Sequence, residues 1–491
     1  MEHYKKLLAL HKEIELIGEA ESILGWDSEV MMPEGSSDNR AEQLATLAVI
    51  AHNKSTSQEY KDLLDRALAE KKTLSKTQKV NLAELKRNYV HANCLPTDLV
   101  SELTKVSKKC EMVWRTAKEQ NDYMKVRPIF GELLKLVRQE AKCKAEALKV
   151  SPYQAMLDQY DPYRKLEEVD TIFAELREKL PPLIEQIRAK QGMKTKLHGK
   201  FPIEKQKELG LSYMKKVGFD FTQGRLDIST HPFCGGTPDD VRITTRYRED
   251  EFIQSFEGIM HETGHALYEQ GLPKAHRYEP IGQAAGIATH ESQSLFVEYQ
   301  ICRSKTFLKD LHKQLFKYFK LDKQIWTFEH FYQMVNWVEP SFIRVEADEV
   351  TYPLHVIMRY ELEKAMVEGD LEVDELPNAW NSKMKKYLGI VPANVGEGCM
   401  QDIHWFGGGF GYFPSYTLGA LTAAQLKAKM STQLNFDKHL SQQNFLPIIE
   451  WLRQNVHSKG ALYSGDGLLN EVTGASLNPK FFLDYVANKF L

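Results

Sequence analysis

Apolar residues recur at mixed three- and four-residue steps from the first turns of the chain, the period of a helix with one buried face. Over residues 4–24 these positions are Leu7, Leu8, Leu10, Ile14, Leu16, Ile17 and Ile23. Stretches of the same character lie near 56–72, 75–93, 97–121, 127–149 and 166–190. Pro33 and Gly35 mark a turn, after which Ser36, Ser37 or Asp38 can cap a helix. Pro96-Thr97-Asp98 reads as a helix start, and Pro181-Pro182 predicts a kink or restart inside the 166–190 stretch. At 219–249 the period changes to two. Val241, Ile243, Thr245 and Tyr247 alternate with Arg242, Thr244 and Arg246. Two short strand-like runs are expected there, with Gly235, Gly236 and Pro238 making the turn between them. An edge strand of such a sheet can pair with an extended peptide and so form a wall of a cleft. Helix-rich sequence resumes at 286 and runs nearly to Leu491. No fixed-period repeat or low-complexity segment interrupts it.

The period therefore predicts a mainly α protein with a small sheet. A chain of 491 residues can bury a large core, as one helical body or as two lobes. Charged residues make up 27% with a net charge of −3, and no basic block suggests a nucleic-acid partner. No apolar run approaches the roughly 18–20 residues of a membrane span, so no membrane partner is expected. The N-terminal stretch is charged and amphipathic, without the apolar core of a signal peptide. The six cysteines are scattered with no C-x-x-C, which reads as reduced thiols in a cytoplasmic protein.

Candidate chemistry concentrates at 260–271, MHETGHALYEQG. His261 and His265 lie four apart, about 40° from eclipsed on a helix of ~3.6 residues per turn, so both imidazoles leave one face. That spacing lets two nitrogens reach one Zn²⁺, which in catalytic sites takes three protein ligands and a water. Glu262, one step round the helix from His261, can face that water as general base without being a ligand. Gly271 and Pro273 end the helix. A third ligand is still required. Tyr268 and Gly271 stand where a metzincin would have Gly and His, which excludes that class. The next candidate is Glu291 in THESQS, 26 residues after His265, far enough for a loop and a helical return.

Two polar clusters stand out in the C-terminal half. In FIRVEADEVTYPLH, Arg344, Glu346, Asp348 and Glu349 crowd a partly apolar stretch. GEGCMQDIHWFGGGFGYFPSY is rich in glycine and aromatics and carries Gln401, Asp402 and His404. A solvated helix face or a surface loop is the plain reading of each. The aromatic content of the second argues that it is packed against something.

These motifs together resemble the thermostable-carboxypeptidase-1, or Taq-type, family of zinc metallocarboxypeptidases. HETGH and His290-Glu291-Ser292-Gln293 match that family's H-E-x-x-H and HES/GQ elements. His231-Pro232-Phe233 matches HPF, and Asp240-Val241-Arg242-Ile243-Thr244 matches D-x-R-x-T. Ile343-Arg344-Val345-Glu346-Ala347-Asp348 matches I/N-R-x-x-A/S-D, and Gly398-Cys399-Met400-Gln401-Asp402-Ile403-His404-Trp405 matches G-x-x-Q-D-x-H-W. LGWDSEVMMPEG near the N-terminus is similar as well. The likeness covers nearly the whole chain.

The resemblance implies a two-lobed helical body around a deep groove, similar in plan to neurolysin, with the small sheet lining the active-site cleft. It implies one catalytic domain over 1–491, with a helical part to about 215, a metal and substrate part at about 216–420 and a helical part at about 421–491. It further implies a homodimer that removes single C-terminal residues from peptides, with broad specificity except proline. One zinc ion per chain, with Co²⁺ as an alternative occupant, is expected on His261, His265 and Glu291. Glu262 is the expected base, and His404, Tyr412 and Tyr416 are candidates to stabilise the oxyanion. Recognition of a free α-carboxylate suits the planar fork of arginine, Arg344 first by motif match and Arg242 second. A salt bridge to Asp348 or Asp240 is the competing reading of each. His231, Asp240, Asp348, Gln401 and Asp402 complete the substrate-binding candidates. An oligopeptidase or dipeptidyl carboxypeptidase using the same zinc site is the alternative activity, and a non-enzymatic helical protein that has kept a zinc site is the third.

Overall fold

The computed structural model describes residues 1–491, apart from the side chain of Glu34. Helices occupy Glu2–Val30, Ser37–Ser55, Gln58–Ala69, Lys76–Asn93, Thr97–Glu119, Tyr123–Leu148 and Leu166–Lys190, as the periodicity of the first two hundred residues predicts. Two local expectations change. Ser36 stands at the N-cap of the second helix but makes no side-chain cap bond. Leu166–Lys190 is one continuous helix through Pro181 and Pro182. A proline inside a helix costs about 3 kcal/mol. Leu180, Ile184 and Ile187 continue the buried stripe of Val169, Ile172, Phe173 and Leu176 across the prolines. Burial of each such side chain contributes roughly 1.5–3 kcal/mol, so the stripe outweighs the lost hydrogen bonds.

The 219–249 region forms three strands, β1 (Gly224–Ile228), β2 (Cys234–Thr237) and β3 (Asp240–Thr245), in the order β1-β3-β2. β1 runs parallel to β3, and β2 antiparallel. Gly235 and Gly236 therefore lie inside a strand, and the reversal falls at Pro238-Asp239. Gly236 has φ +85, and a Cβ there would stand 2.1 Å from the Asp240 carbonyl oxygen, so the glycine serves a tight strand pairing rather than the turn itself. The outer edge of β2 is partly taken, because Ser22 Oγ donates to the Gly236 carbonyl at 2.7 Å.

The chain divides into two compact units, each assembled from three separate stretches. The first comprises Met1–Tyr89, Met193–Asn336 and Thr422–Leu477. Its N-terminal helices close over a cluster of Tyr4, Leu7, Tyr60, Leu64, Ala67, Leu74, Leu82 and Leu85. Its centre is the helix Ile253–Gly271, with Phe256 and Ile259 buried on one stripe. Phe252, just before that helix, packs on Phe201 with ring centroids 4.9 Å apart, and Phe256 packs on Tyr213 at 5.3 Å. The second unit comprises Val90–Gly192, Trp337–Leu421 and Asn478–Leu491. The helix Tyr352–Glu368 runs through its core, buried on nearly every face. All six cysteines are unpaired, and among the described residues no helix is long and apolar enough to cross a membrane.

Candidate metal and catalytic site

His261 and His265 leave the same face of the helix Ile253–Gly271, and Glu291 comes to them from the helix Ile287–Leu295. One ligand atom from each residue lies within 4.8 Å of the others. Glu291 Oε2 is 3.3 Å from His265 Nε2 and 3.9 Å from His261 Nε2. The close approach of the two helices depends on Gly264, between the histidines. A Cβ there would meet the Gln293 carbonyl oxygen and the Ser294 Cα at 2.5 Å each. The glycine of the motif thus lets the backbone that carries Glu291 reach the histidines.

The second nitrogen of each histidine is engaged. His261 Nδ1 lies 2.7 Å from Glu298 Oε2. Glu298 projects from Phe296–Cys302, which is wound as a π-helix, a form that recurs at functional sites. Arg303 reaches Glu298 at 3.1 Å and pairs with Glu257 through Nε and Nη2 at 3.0 Å. His265 Nδ1 lies 2.6 Å from His290 Nδ1, and His290 Nε2 lies 2.6 Å from Glu269 Oε1. Both Nε2 atoms are thereby turned toward Glu291.

The electrostatics of the cluster call for a cation. Burial pulls the His261 imidazole down, but Glu291 and Glu298 outweigh it and carry its pKa up to about 10. Burial pushes Glu262 up to about 7, with Glu291 and Glu298 adding to the rise against the pull of His261. Burial works against the Glu291 carboxylate too, yet His261 and His265 hold its pKa below the ordinary value. Burial drives His265 down to about 4, which leaves it a neutral imidazole with a lone pair to offer. The carboxylates that hold a proton on His261 would equally favour a divalent ion in its place, and two imidazole nitrogens converging with a carboxylate oxygen are a donor set that fits one.

The other sequence candidates of this unit lie on the sheet. Arg242 pairs with Asp240, Nη2 to Oδ2 at 2.7 Å, and its guanidinium stacks on Trp26 at 4.3 Å from the ring centroid. The salt bridge read as the competing role of Arg242 is therefore present. His231 is exposed ahead of β2, with its carbonyl held by Ser229 Oγ at 2.6 Å.

Within the second unit, Arg344, Gln401 and Asp402 form one buried network. Asp402 Oδ1 accepts from Arg344 Nη2 at 2.9 Å and Nε at 3.1 Å, and its Oδ2 accepts from Arg359 Nε at 2.6 Å. Gln401 Oε1 accepts from the Arg344 backbone N–H at 2.9 Å and from Arg359 Nη2 at 2.6 Å. Burial opposes the Asp402 charge, but the two guanidiniums hold its carboxyl far below the usual range. Arg344 Nη1 donates to the Tyr352 hydroxyl at 3.1 Å. Its ion pair is thus with Asp402 and not with Asp348, which instead accepts from the backbone N–H groups of Glu339, Val350 and Thr351. His404 Nε2 lies 3.1 Å from the Tyr416 hydroxyl, while Tyr412 packs edge-on to Tyr416 at 5.2 Å and to Tyr160 at 5.1 Å. The glycine-rich stretch is packed as its aromatic content predicts, with Trp405, Phe406, Phe410 and Phe413 all buried.

Sequence reasoning missed Glu298, His290, Glu269, Gly264 and Arg359. The rule that a ligating histidine holds an acceptor on its other nitrogen would have pointed to acidic residues near the motifs. Glu269, one turn after His265, and Glu298, two turns after Glu291, satisfy it.

Set beside known proteins, the chain matches the sequence profile of the Carboxypeptidase Taq (M32) metallopeptidases over residues 6–490. It belongs to that family, and membership makes it a metal-dependent carboxypeptidase. It is 38% identical to Carboxypeptidase 1 of Bacillus subtilis over 99% of this chain and 97% of that one. It is 37% identical to Thermostable carboxypeptidase 1 of Thermus thermophilus, over 99% and 98% of the two chains. The solved structure of Metallocarboxypeptidase 1 from Trypanosoma cruzi superposes with a TM-score of 0.97 at 38% identity, covering 100% of this chain and 99% of that one.

Proposed function

We propose that this carboxypeptidase is zinc-dependent, with Co²⁺ able to replace zinc, and that it releases single C-terminal residues from peptides with broad specificity except proline. The observation that carries the reading is the convergence of His261 Nε2, His265 Nε2 and Glu291 Oε2, with both histidine Nδ1 atoms held from behind. With the reading we propose the deep, neurolysin-like substrate groove that the family resemblance implies, a homodimeric assembly and a cytoplasmic location.

His261, His265 and Glu291 would hold the ion. A bound Zn²⁺ supplies Lewis acidity and brings the pKa of a coordinated water toward about 7. Glu262 takes a proton from the attacking water and delivers it to the leaving amine, a role suited to a buried carboxyl one step round the helix from His261. His404 is held neutral, its pKa driven to about 4 by burial and by Arg344, so the ring can donate a hydrogen bond to a developing oxyanion. Tyr416, hydrogen-bonded to it, shares that role, and Tyr412 packs against Tyr416. Arg344 anchors the α-carboxylate. Asp402 and Tyr352 use its Nε–H and one hydrogen on each Nη, and a guanidinium carries a further hydrogen on each Nη for a ligand. Arg242, already engaged by Asp240 and Trp26, is the second candidate, and His231, Gln401 and Asp348 line or brace the substrate-binding elements.

Metal analysis of the purified protein, with mass spectrometry of one digested peptide, tests this. One zinc per chain and successive single-residue C-terminal losses are expected. Dipeptide release or internal cuts would replace the reading by a dipeptidyl carboxypeptidase or an oligopeptidase.

A further inference from the structure

The two histidine ligands are braced differently. His261 donates directly to a carboxylate, Glu298. His265 meets a second imidazole, and only beyond that ring is there a carboxylate, Glu269. His290 stands next to Glu291 in sequence, yet its ring lies on the far side of His265, with centroids 4.6 Å apart. Glu269 sits four residues after His265 on the same helix, so it shares that face and reaches His290 from below.

Hydrogen counting along this row leaves one arrangement that can hold a metal. The Glu269 carboxylate only accepts, so His290 Nε2 carries the hydrogen in the 2.6 Å contact between them. A neutral His290 then has its lone pair on Nδ1. That atom lies 2.6 Å from His265 Nδ1, so the hydrogen shared there belongs to His265. With its hydrogen on Nδ1, His265 has its lone pair on Nε2, the atom that lies 3.3 Å from Glu291 Oε2. The opposite orientation of the row would place the His265 hydrogen on Nε2 and close that atom to a metal.

We propose that His290 and Glu269 are positioning residues that fix the tautomer and ring orientation of His265, and through it set the metal affinity of the site. The inference rests on the metal-binding reading above. It goes beyond that reading by assigning a role to two residues that touch neither the ion nor substrate. Tyr268 flanks the row, its ring 5.3 Å from His290, and its hydroxyl accepts from the Ala285 N–H at 3.1 Å, which fixes the loop leading to His290. Removal of such outer partners typically weakens metal binding 10–100-fold, roughly.

The test is the zinc dissociation constant of the full chain, measured by competition with a chromophoric chelator, beside the thermal melt of each metal-free protein. His290→Leu keeps bulk and removes the acceptor, and is expected to bind zinc about 10–100-fold more weakly than the parent. His290→Asn places Oδ1 where Nδ1 stood, and should recover most of that loss while the melts of the metal-free proteins stay together. Glu269→Ala leaves both rings in place and should weaken binding at least about threefold, carrying the test alone should His290→Leu not fold. Unchanged affinity in the foldable variants overturns the inference, as does His290→Asn binding as weakly as His290→Leu, which would mark a packing role. A parent protein that binds no zinc overturns the metal reading itself, a result distinct from a parent that binds and variants that bind equally.

Discussion

Gly264 faces Ser294 so closely that a Cβ on the glycine would stand 2.5 Å from the serine Cα. Backbone lies on the far side of this contact, so it cannot yield as the end of a flexible side chain would. Gly264→Ala is expected to push the two ligand-bearing helices apart. Overpacking of this kind costs about 1–3 kcal/mol. Because Glu291 moves with Ser294, zinc affinity should fall together with the melting temperature of the metal-free protein. An alanine variant that matches the parent in both would show that the helices have room to slide.

Asp402 bridges Arg344 and Arg359, and both guanidiniums are buried. Asp402→Asn leaves two cations without their counter-charge, and breaking such a buried arrangement costs roughly 3–5 kcal/mol. Urea unfolding at neutral pH should show that loss. The folded-state pKa of Asp402 is depressed, so its stabilisation is present above its unfolded value of about 3.8 and is lost as pH falls. The parent should therefore lose more stability on acidification below that value than Asp402→Asn does.

Arg344 can be separated from Asp402 by comparing two variants. Arg344→Lys keeps a charge beside Asp402 but not the planar fork, whereas Arg344→Ala removes both. Each should lower kcat/KM on free-acid peptides by about 30-fold or more, at about 1.4 kcal/mol per tenfold, and shrink the preference over C-terminal amides. Zinc content should not change. If Arg344→Lys discriminates acid from amide as the parent does, the α-carboxylate is held elsewhere and Arg242 is next to examine.

Glu262→Gln keeps shape and removes basicity. It should retain the parent's zinc content while kcat drops by about 10²–10⁴. His265→Ala should lose the metal instead. Metal lost from Glu262→Gln would show that Glu262 is a ligand and that the roles of the two glutamates need to be exchanged.

The His404 imidazole supplies a second pH signature. Burial and Arg344 hold its pKa at about 4 in the folded protein, against about 6.5 unfolded. Between those values the unfolded chain binds the proton and the folded chain does not. Its contribution is therefore complete above about pH 6.5 and is lost as pH falls toward about 4, by up to about 3 kcal/mol. His404→Gln should flatten the slope of unfolding free energy over that window, measured by urea titrations from pH 4.5 to 7.5.

The helices of the first two hundred residues were legible from apolar residues at helical steps, but the buried face of the first was not: of its leucines and isoleucines at those steps only Leu7 is buried, and Leu16 is exposed. The outcome at Pro181-Pro182 was not legible either, since whether a helix survives a proline depends on the core it faces, and that core comes from other stretches. The strand β3 was legible from its alternation, whereas β2 stands where a turn was expected. The placing of Gly235-Gly236 was not legible, because glycine marks a turn and a close backbone approach with the same residue.

For the site, the sequence by itself marked the candidate donors. Four-residue spacing puts His261 and His265 on one face of a helix, and the Glu291 motif offers a candidate carboxylate a helical return later. Tertiary structure alone decided how those atoms are made ready. Glu298 meets His261 through a π-helical turn, and Glu269 meets His265 through His290. It also chose Asp402 over Asp348 as the partner of Arg344. Spacing fixes direction only along one element, where backbone geometry is rigid. Which carboxylate finds which cation across separate elements depends on how the chain packs, and no local pattern records that.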